Sequence, residues 1–177
     1  EGMLGGIACL HSRGVLHRDV SPSNVLLTRG GAVKLADFGI ARSVRPGDGQ
    51  DRAPEGKYSY MSPELARGEE ASRPSDIFAA AVVAAELYLP GRMFPGDDPA
   101  EILGRIRRFD PRELAGGAFP PEVEGILLKG LAARAEERYP DIAAFAEAVR
   151  AAVPAAAGGA EIAAFWDALF GATQPDE

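Results

Sequence analysis

One segment of the chain, residues 77 to 89, is apolar on nearly every side of a helix, with Glu86 as its only charged residue. It follows a Pro-Ser-Asp sequence at residues 74–76 that is typical of a helix start. A helix with this composition must be buried all round. The rest of the chain therefore has to surround it, and we predict a helical bundle with the 76–89 helix at its centre.

Several other segments have apolar residues at helical spacing and a polar opposite side. The predicted amphipathic helices cover residues 1–12, 98–109, 121–133, 142–153 and 160–170, and a short helix begins at Ser62. In the last helix the apolar side consists of Ile162, Phe165, Trp166 and Leu169. We predict one domain over residues 1–152, followed over residues 153–177 by an Ala/Gly linker and a short amphipathic C-terminal helix, which we expect to pack back on the domain.

The composition is that of an ordinary globular protein, with 177 residues, 46% hydrophobic and 25% charged, and a formal net charge of −7. Lys and Arg are scattered, which argues against nucleic-acid binding. No apolar run reaches the roughly 18 residues of a membrane span. The single cysteine, Cys9, gives no disulfide framework or metal-ligand set and indicates a reducing, cytoplasmic compartment. Its place on an apolar helical side predicts a core thiol.

Two short strand-like runs, Val25 to Thr28 and Ala32 to Leu35, are joined by Arg29-Gly30-Gly31 and predict a β-hairpin. Because the two strands run antiparallel, the residue before the first, Asn24, and the residue after the second, Asp37, must lie close together. An amide oxygen and a carboxylate are suitable ligands for one magnesium ion.

Three polar motifs follow one another along the chain: His17-Arg18-Asp19 with Asn24 five residues after the aspartate, Asp37-Phe38-Gly39, and Ser62-Pro63-Glu64. In this order they resemble the H-R-D-x4-N loop, the D-F-G motif and the A-P-E segment in the C-terminal lobe of a eukaryotic-type, bacterial-style Ser/Thr protein kinase. The resemblance covers about residues 1–152. It implies a mainly α fold of the α+β family, a helical bundle around a buried central helix with a small β-hairpin bearing the catalytic loop.

The resemblance also implies a role for each site residue. Asp19 would accept or orient the proton of the substrate hydroxyl, and Asn24 and Asp37 would hold Mg²⁺ against the phosphates of ATP. Leu26 matches the floor of the adenine pocket, although a core position in the strand explains it equally well. Ser21 stands where the family places a lysine that neutralises the transferring phosphate, so we include it in the predicted ATP-binding set.

Arg18 resembles the family's loop arginine that binds a phosphorylated activation segment. Residues 43–57, rich in Gly, Pro and charged residues, resemble that segment and predict a mobile surface loop. No Thr occurs between Asp37 and Glu64. We expect Arg18 to be satisfied by a phosphate on Ser59 or by acidic residues of the segment. Those acidic residues are Asp48, Asp51 and Glu55.

Further contacts follow from the same resemblance. Asp76 should bind backbone amides of the catalytic loop, and Arg138 should pair with Glu64 although 74 residues separate them. His17 should be a structural residue beneath the loop rather than a base. His11 should lie at the surface or at a helix end.

Two residues depart from the family pattern. The loop lysine is replaced by Ser21, and Ser23 occupies the position where tyrosine kinases place an arginine. Lys57 replaces a threonine that normally bonds the catalytic aspartate. Without the loop lysine we expect a reduced rate or a compensating cation, and Lys57 is a candidate for that cation.

The sequence contains no G-x-G-x-x-G loop, strand lysine or helix-C glutamate, so we interpret it as a fragment that lacks its N-lobe and is inactive alone. Joined to its N-lobe, it should transfer phosphoryl groups from Mg-ATP to Ser/Thr hydroxyls of a protein substrate. One alternative is a pseudokinase or partner-binding lobe without catalysis. Another is a small-molecule kinase of the aminoglycoside phosphotransferase type, which would lack the long activation segment and the arginine partner of Glu64.

Overall fold

The computed structural model describes residues 2–37, 57–153 and 158–170. These residues form seven α-helices and one sheet of two strands, so the fold is mainly helical as predicted. The helices are α1 (Gly2–His11), α2 (Pro63–Ala66), α3 (Arg73–Glu86), α4 (Pro99–Arg108), α5 (Pro121–Gly130), α6 (Ile142–Ala152) and α7 (Gly159–Phe170). The strands are β1 (Val25–Leu27) and β2 (Val33–Leu35). Short 3-10 turns cover Pro22–Asn24, Lys57–Tyr60, Pro111–Leu114 and Ala135–Glu137.

Helix α3 lies at the centre of the fold. Its residues from Ser75 to Val82 and Ala85 are buried, and α1, α5 and α6 all pack against it. Phe78 is completely buried and stacks on Phe94 with 6.4 Å between ring centroids. The prediction of a central helix buried all round is confirmed for these turns.

The C-terminal end of this helix was predicted wrongly. Helix α3 ends at Glu86 rather than Leu89, and Leu87 is 81% exposed. The cause is Pro90, because a proline ring in a continuing helix would clash with the carbonyl of the residue four positions earlier, which is Glu86. The apolar residues 87–89 therefore extend the apolar pattern beyond the helix itself.

Helices α4, α5 and α6 are amphipathic and turn their predicted apolar sides inward. Ile102, Leu103 and Ile106 of α4 are buried, as are Val123 and Leu127 of α5. The first turns of α4 and α6 are capped by aspartates, whose side chains accept backbone N–H groups. Periodicity alone therefore located the helices and their inner faces, although α5 ends at Gly130, three residues before its predicted end.

The hairpin has the predicted antiparallel pairing, with Val25 opposite Leu35 and Leu27 opposite Val33. Helix α1 packs against β2. Helix α7 approaches the turn of the hairpin, where Gly31 is buried against Gly159.

On α7, Ile162 is partly buried, whereas Phe165 is 62% exposed. The predicted apolar side of this helix is therefore covered only in part at these two residues. The side chains of Trp166 and Leu169, assigned to the same side, lie outside the described residues.

Cys9 is exposed, so the prediction of a core thiol was wrong. The buried side of α1 consists of Leu4, Ile7 and His11. Cys9 comes two residues after Ile7, and two residues turn a helix by more than half a circle, which places the thiol on the outer side. Among the described helices, none is both long and apolar enough to cross a membrane.

Candidate active site

Asp76, in the first turn of α3, holds the backbone of the loop that follows α1. Its Oδ2 accepts the N–H of His17 at 2.8 Å and its Oδ1 accepts the N–H of Arg18 at 2.9 Å. The carboxylate is only 2% exposed. The predicted contact between Asp76 and the backbone amides of the loop is confirmed, and it joins the loop to the central helix.

His11 binds the same carboxylate, which sequence reasoning did not foresee. Its Nε2 lies 2.8 Å from Asp76 Oδ2, and the side chain is buried, with Nδ1 lacking a hydrogen-bond partner. His11 does end α1, but it does not lie at the surface. The available signal was helical spacing, since His11 follows Leu4 by seven residues and Ile7 by four.

His17 is completely buried beneath the loop. Its Nδ1 accepts the N–H of Asp19 at 3.3 Å, so Nε2 carries the proton and donates to the carbonyl of Ala36 at 3.2 Å. Burial lowers the pKa of His17, against the opposing effect of nearby carboxylates led by Asp76. A neutral ring with both nitrogens engaged is a structural link between the loop and the end of β2, rather than a base.

Asn24 connects the loop to the hairpin. Its side-chain Nδ2 donates to the backbone carbonyl of Asp19 at 2.7 Å. The backbone carbonyl of Asn24 accepts the N–H of Ala36 at 2.8 Å. The residue is 8% exposed. The first bond fixes the orientation of the amide, and the second places Asn24 beside the residue that precedes Asp37.

The chemistry of Asn24 and Asp37 fits a magnesium ion. Because Nδ2 is committed to Asp19, Asn24 has Oδ1 available as an acceptor, and Asp37 is exposed with its carboxylate accessible. Within the described residues no group of three or more His, Cys, Asp or Glu side chains could hold a metal. Two hard oxygen ligands are nevertheless what Mg²⁺ takes from a protein when phosphates and water supply the rest. Phe38 and Gly39 lie outside the described residues.

Two non-glycine residues of the described chain have a left-handed backbone, and both belong to this site. Arg18 has φ 64° and Asp37 has φ 50°. Each such residue carries about 1–2 kcal/mol of strain. The hydrogen bond from the Arg18 N–H to Asp76 holds the first of them in place. Strain that surrounding structure must maintain is commonly found at functional sites.

Lys57 reaches the loop from the turn Lys57–Tyr60. Its Nζ lies 2.5 Å from Oδ2 of Asp19, in a pair whose side chains are 35% and 20% exposed. The turn itself is anchored by two hydrogen bonds of 2.8 Å, from Ser59 Oγ to the carbonyl of Phe94 and from the Tyr60 hydroxyl to Glu86. Burial and the bond to the Glu86 carboxylate both raise the pKa of Tyr60, so this hydroxyl remains a donor.

Ser21 contributes no charge at the position of the family's lysine. It is 3% exposed and its Oγ lies 2.9 Å from Oγ of Ser23. Leu26 is 50% exposed on β1, which contradicts its interpretation as a core residue and leaves it accessible to a ligand.

The hypothesis of a phosphate on Ser59 conflicts with the structure, because this hydroxyl is completely buried and already bonded to a carbonyl. The Arg18 side chain is exposed. The acidic residues of the segment lie outside the described residues, as does most of the predicted activation segment, whose last residue is Lys57.

Glu64 and Arg138 form the predicted ion pair. Arg138 donates through both terminal nitrogens to the two carboxylate oxygens at 2.8 Å, and its guanidinium lies over the ring of Phe78 at 4.9 Å. Ser75 also donates to Glu64 at 2.9 Å. Burial tends to raise the pKa of Glu64, but the bonds and charge of Arg138 outweigh this and lower it to about 2.

Comparison with known proteins agrees with this geometry. Residues 1–114 match the family described as "Protein kinase domain". The tyrosine-protein kinase MasK of Myxococcus xanthus is 43% identical over 139 residues, which are 76% of this chain and 21% of MasK. The serine/threonine-protein kinase PknB is 35% identical over 134 residues in Mycolicibacterium smegmatis and 34% in Mycobacterium tuberculosis, and each match covers 73% of this chain and 21% of PknB. The chain thus spans about a fifth of the length of the curated relatives it matches.

Proposed function

Because the chain belongs to the protein kinase family, we propose that it transfers the γ-phosphoryl group of ATP to hydroxyl groups of proteins when an N-lobe completes the nucleotide site. The observation that carries this proposal is the position of Asn24, which is bonded to the backbone of Asp19 and to the residue before Asp37. The side chain of Asn24 bonds Asp19 and its backbone carbonyl bonds Ala36, which supports one site that holds the candidate base and the two candidate magnesium ligands.

The residues divide the work of the reaction. Asp19 orients the acceptor hydroxyl and receives its proton as the oxygen attacks the γ-phosphorus. Asn24 and Asp37 would hold Mg²⁺, which would neutralise charge on the phosphates. Leu26, exposed on β1, packs against the adenine. The loop backbone keeps Asp19 in place through Asp76 and His17, so the nucleophile is aimed by a rigid element.

Serine and threonine are the proposed acceptors. Ser23 replaces the arginine that the resemblance assigns to tyrosine kinases, and PknB is named a serine/threonine-protein kinase, whereas MasK is named a tyrosine-protein kinase. Acid hydrolysis of the labelled product distinguishes the two classes. Phosphotyrosine as the main product would reject the Ser/Thr assignment and leave the kinase assignment intact.

We further propose that residues 1–152 form the C-terminal lobe and that residues 153–177 are a linker and an accessory helix. A cytoplasmic location is proposed on the single, exposed thiol of Cys9.

The bidentate pair of Glu64 and Arg138 favours a protein kinase over a small-molecule kinase. Ser21 and Lys57 are the features that favour a partner-binding lobe without catalysis.

The test is transfer of radiolabelled phosphate from Mg-ATP to a generic protein substrate and to the protein itself, using the complete reading frame. Asp19→Ala and Asp37→Ala should abolish transfer while the melting temperature stays near that of the wild type. Asp97→Ala, which removes an exposed carboxylate before α4, is the matched control and should remain active. No transfer by the wild type, with no magnesium-dependent rise in melting temperature on adding ATP, would reject catalysis and favour the partner-binding alternative.

A further inference from the structure

We infer that Lys57 is a further catalytic residue, whose ammonium group supplies the positive charge beside the transferring phosphoryl group that the catalytic loop lacks. This inference rests on the proposed kinase function and adds a residue to it. Lys57 does not belong to the loop: it begins the turn Lys57–Tyr60, 38 residues after Asp19.

The catalytic loop has no cation of its own for this role. Ser21 is buried and its hydroxyl is turned to Ser23. Arg18 precedes Asp19, and its side chain is exposed. Across the described residues, Lys57 is the one Lys, Arg or His whose nitrogen lies within 4.0 Å of the Asp19 carboxylate.

The ion pair of Lys57 and Asp19 is not explained by a contribution to stability. Both side chains are partly exposed to water, and ion pairs in such surroundings contribute little to folding. Holding a lysine side chain in one conformation also costs rotamer entropy. A contact of 2.5 Å to the candidate base therefore calls for a role in the reaction.

Lys57 also lies close enough to Asp19 to reach the transferring phosphoryl group. An acceptor hydroxyl must lie within roughly 3 Å of Asp19 for its proton to be taken, and the γ-phosphorus must lie within about 3–3.5 Å of the same hydroxyl oxygen. A flexible lysine whose Nζ already touches Asp19 is thus within reach of an oxygen of that phosphoryl group. It can bond both groups at once, because an ammonium has three N–H donors.

The hydroxyl oxygen forms a bond to the γ-phosphorus while the bond from that phosphorus to the β–γ bridging oxygen breaks, and ADP leaves with the electron pair. The hydroxyl proton passes to Asp19. The ammonium group of Lys57 stabilises the charge on the equatorial oxygens.

Lys57 reaches Asp19 from the turn Lys57–Tyr60 and not from the catalytic loop. The turn is held by Ser59 on the Phe94 carbonyl and by Tyr60 on Glu86, at the end of α3. The charge is therefore present at Asp19 only when the turn is docked, which makes docking of this segment a condition for catalysis.

The test compares Lys57→Met, Lys57→Arg and the control Lys129→Met in the full-length protein. Lys129 is an exposed lysine on α5, so its variant loses the same charge outside the site. Lys57→Met should lower kcat by about 100-fold, the scale for one lost charge-stabilising donor. Lys57→Arg should retain more than about a tenth of the wild-type rate, and Lys129→Met should match the wild type.

A second measurement does not depend on turnover. Calorimetric titration of the same proteins with ATP and with ADP should show that Lys57→Met weakens binding of ATP by about tenfold, as expected for one charge-assisted hydrogen bond, and leaves binding of ADP unchanged. An equal loss of affinity for ATP and for ADP would show that Lys57 does not contact the γ-phosphate.

The two proposals fail in different ways. Wild-type protein without any transfer would reject the kinase function and Lys57 with it. Transfer by the wild type with an equal or higher kcat in Lys57→Met would reject Lys57 alone, and a higher kcat would mark the ion pair as inhibitory.

Discussion

At the scale of single residues, buried charges are stabilised by more than one partner. Asp76 accepts two backbone amides and binds His11. Glu64 accepts both terminal nitrogens of Arg138 and the hydroxyl of Ser75. In each case several hydrogen bonds offset the cost of burying a carboxylate. Removing one partner therefore costs more than the bond itself, because it leaves the other group buried and unpaired.

Arg138→Met should lower the free energy of unfolding at pH 7 by about 3–5 kcal/mol, because it strands Glu64 in the core. The matched control is Arg134→Met, four residues earlier, whose side chain is 70% exposed and pairs with Glu136. An exposed pair contributes about 0–1 kcal/mol, so the control should change stability little. Urea unfolding monitored by circular dichroism measures both. Equal losses in the two variants would contradict a buried, structurally required ion pair.

The ion pair of Glu64 and Arg138 also makes the stability of the fold depend on pH. The pKa of Glu64 is lowered in the folded protein from 4.5 to about 2, so its stabilisation is fully present above about pH 4.5 and is lost as the pH falls toward 2. A shift of this size corresponds to about 3 kcal/mol. The difference in stability between wild type and Arg138→Met should therefore shrink over this pH range. A difference that stays constant from pH 6 to pH 2.5 would show that Glu64 does not titrate as described.

At the scale of elements, the close packing of α5 on α3 depends on a glycine. A Cβ atom added to Gly130, the last residue of α5, would lie 2.8 Å from Cβ of Ala81 in α3. Real Cβ atoms do not approach so closely, so any side chain at this position would push the two helices apart. From the sequence, Gly130 is only a residue of low helix propensity within an apolar pattern. The close contact with Ala81 is not visible there.

Gly130→Ala should therefore destabilise the protein by about 1–3 kcal/mol through overpacking. Gly125→Ala, in the same helix, is the matched control, since no atom lies within 4 Å of its added Cβ. That substitution should stabilise by about 0.5–1 kcal/mol through better helix propensity. Thermal unfolding of both variants shows whether each substitution lowers or raises stability. Stabilisation by both substitutions would mean that α5 and α3 are less tightly packed at this point.

At the scale of the whole molecule, the site is assembled from four parts of the chain that are far apart in sequence. The loop after α1 supplies Asp19 and Asn24, the end of β2 supplies Asp37, the turn Lys57–Tyr60 supplies a cation, and α3 supplies Asp76. Helix α7 lies against the opposite end of the hairpin, where Arg29 and Asp167 approach within 3.5 Å. The hairpin thus connects the C-terminal helix to the candidate site.

Gly31→Ala should release α7 from the hairpin. The added Cβ would lie 1.7 Å from the carbonyl oxygen of Gly159, and Gly31 has φ +77°, a conformation that costs other residues about 1–2 kcal/mol. Hydrogen exchange of α7 amides should accelerate by about 5–30-fold. The neighbouring variant Gly30→Ala is the control, because its Cβ meets no atom within 4 Å. Unchanged hydrogen exchange in Gly31→Ala would show that α7 does not pack against the hairpin at Gly31.

The features that sequence alone determined are those encoded by local pattern and by motif order. The all-apolar segment could only become the buried α3, and the periodic segments became α4 to α6 because hydrophobic spacing decides which side of a helix faces inward. The hairpin brought Asn24 and the strand before Asp37 together as antiparallel pairing requires. The pairing of Glu64 with Arg138 could be predicted only from the motif resemblance, since no local pattern relates residues so far apart in the sequence.

Tertiary structure decided the features that depend on what each side chain meets. His11 is buried and Cys9 is exposed, although both belong to one short apolar helix, because only the first faces Asp76. Ser59 looked accessible in a polar segment but bonds a carbonyl of a distant loop. The contact of Lys57 with Asp19 likewise requires the turn to dock on α3. Burial and charge contacts arise from packing between remote segments, which periodicity along the chain does not encode.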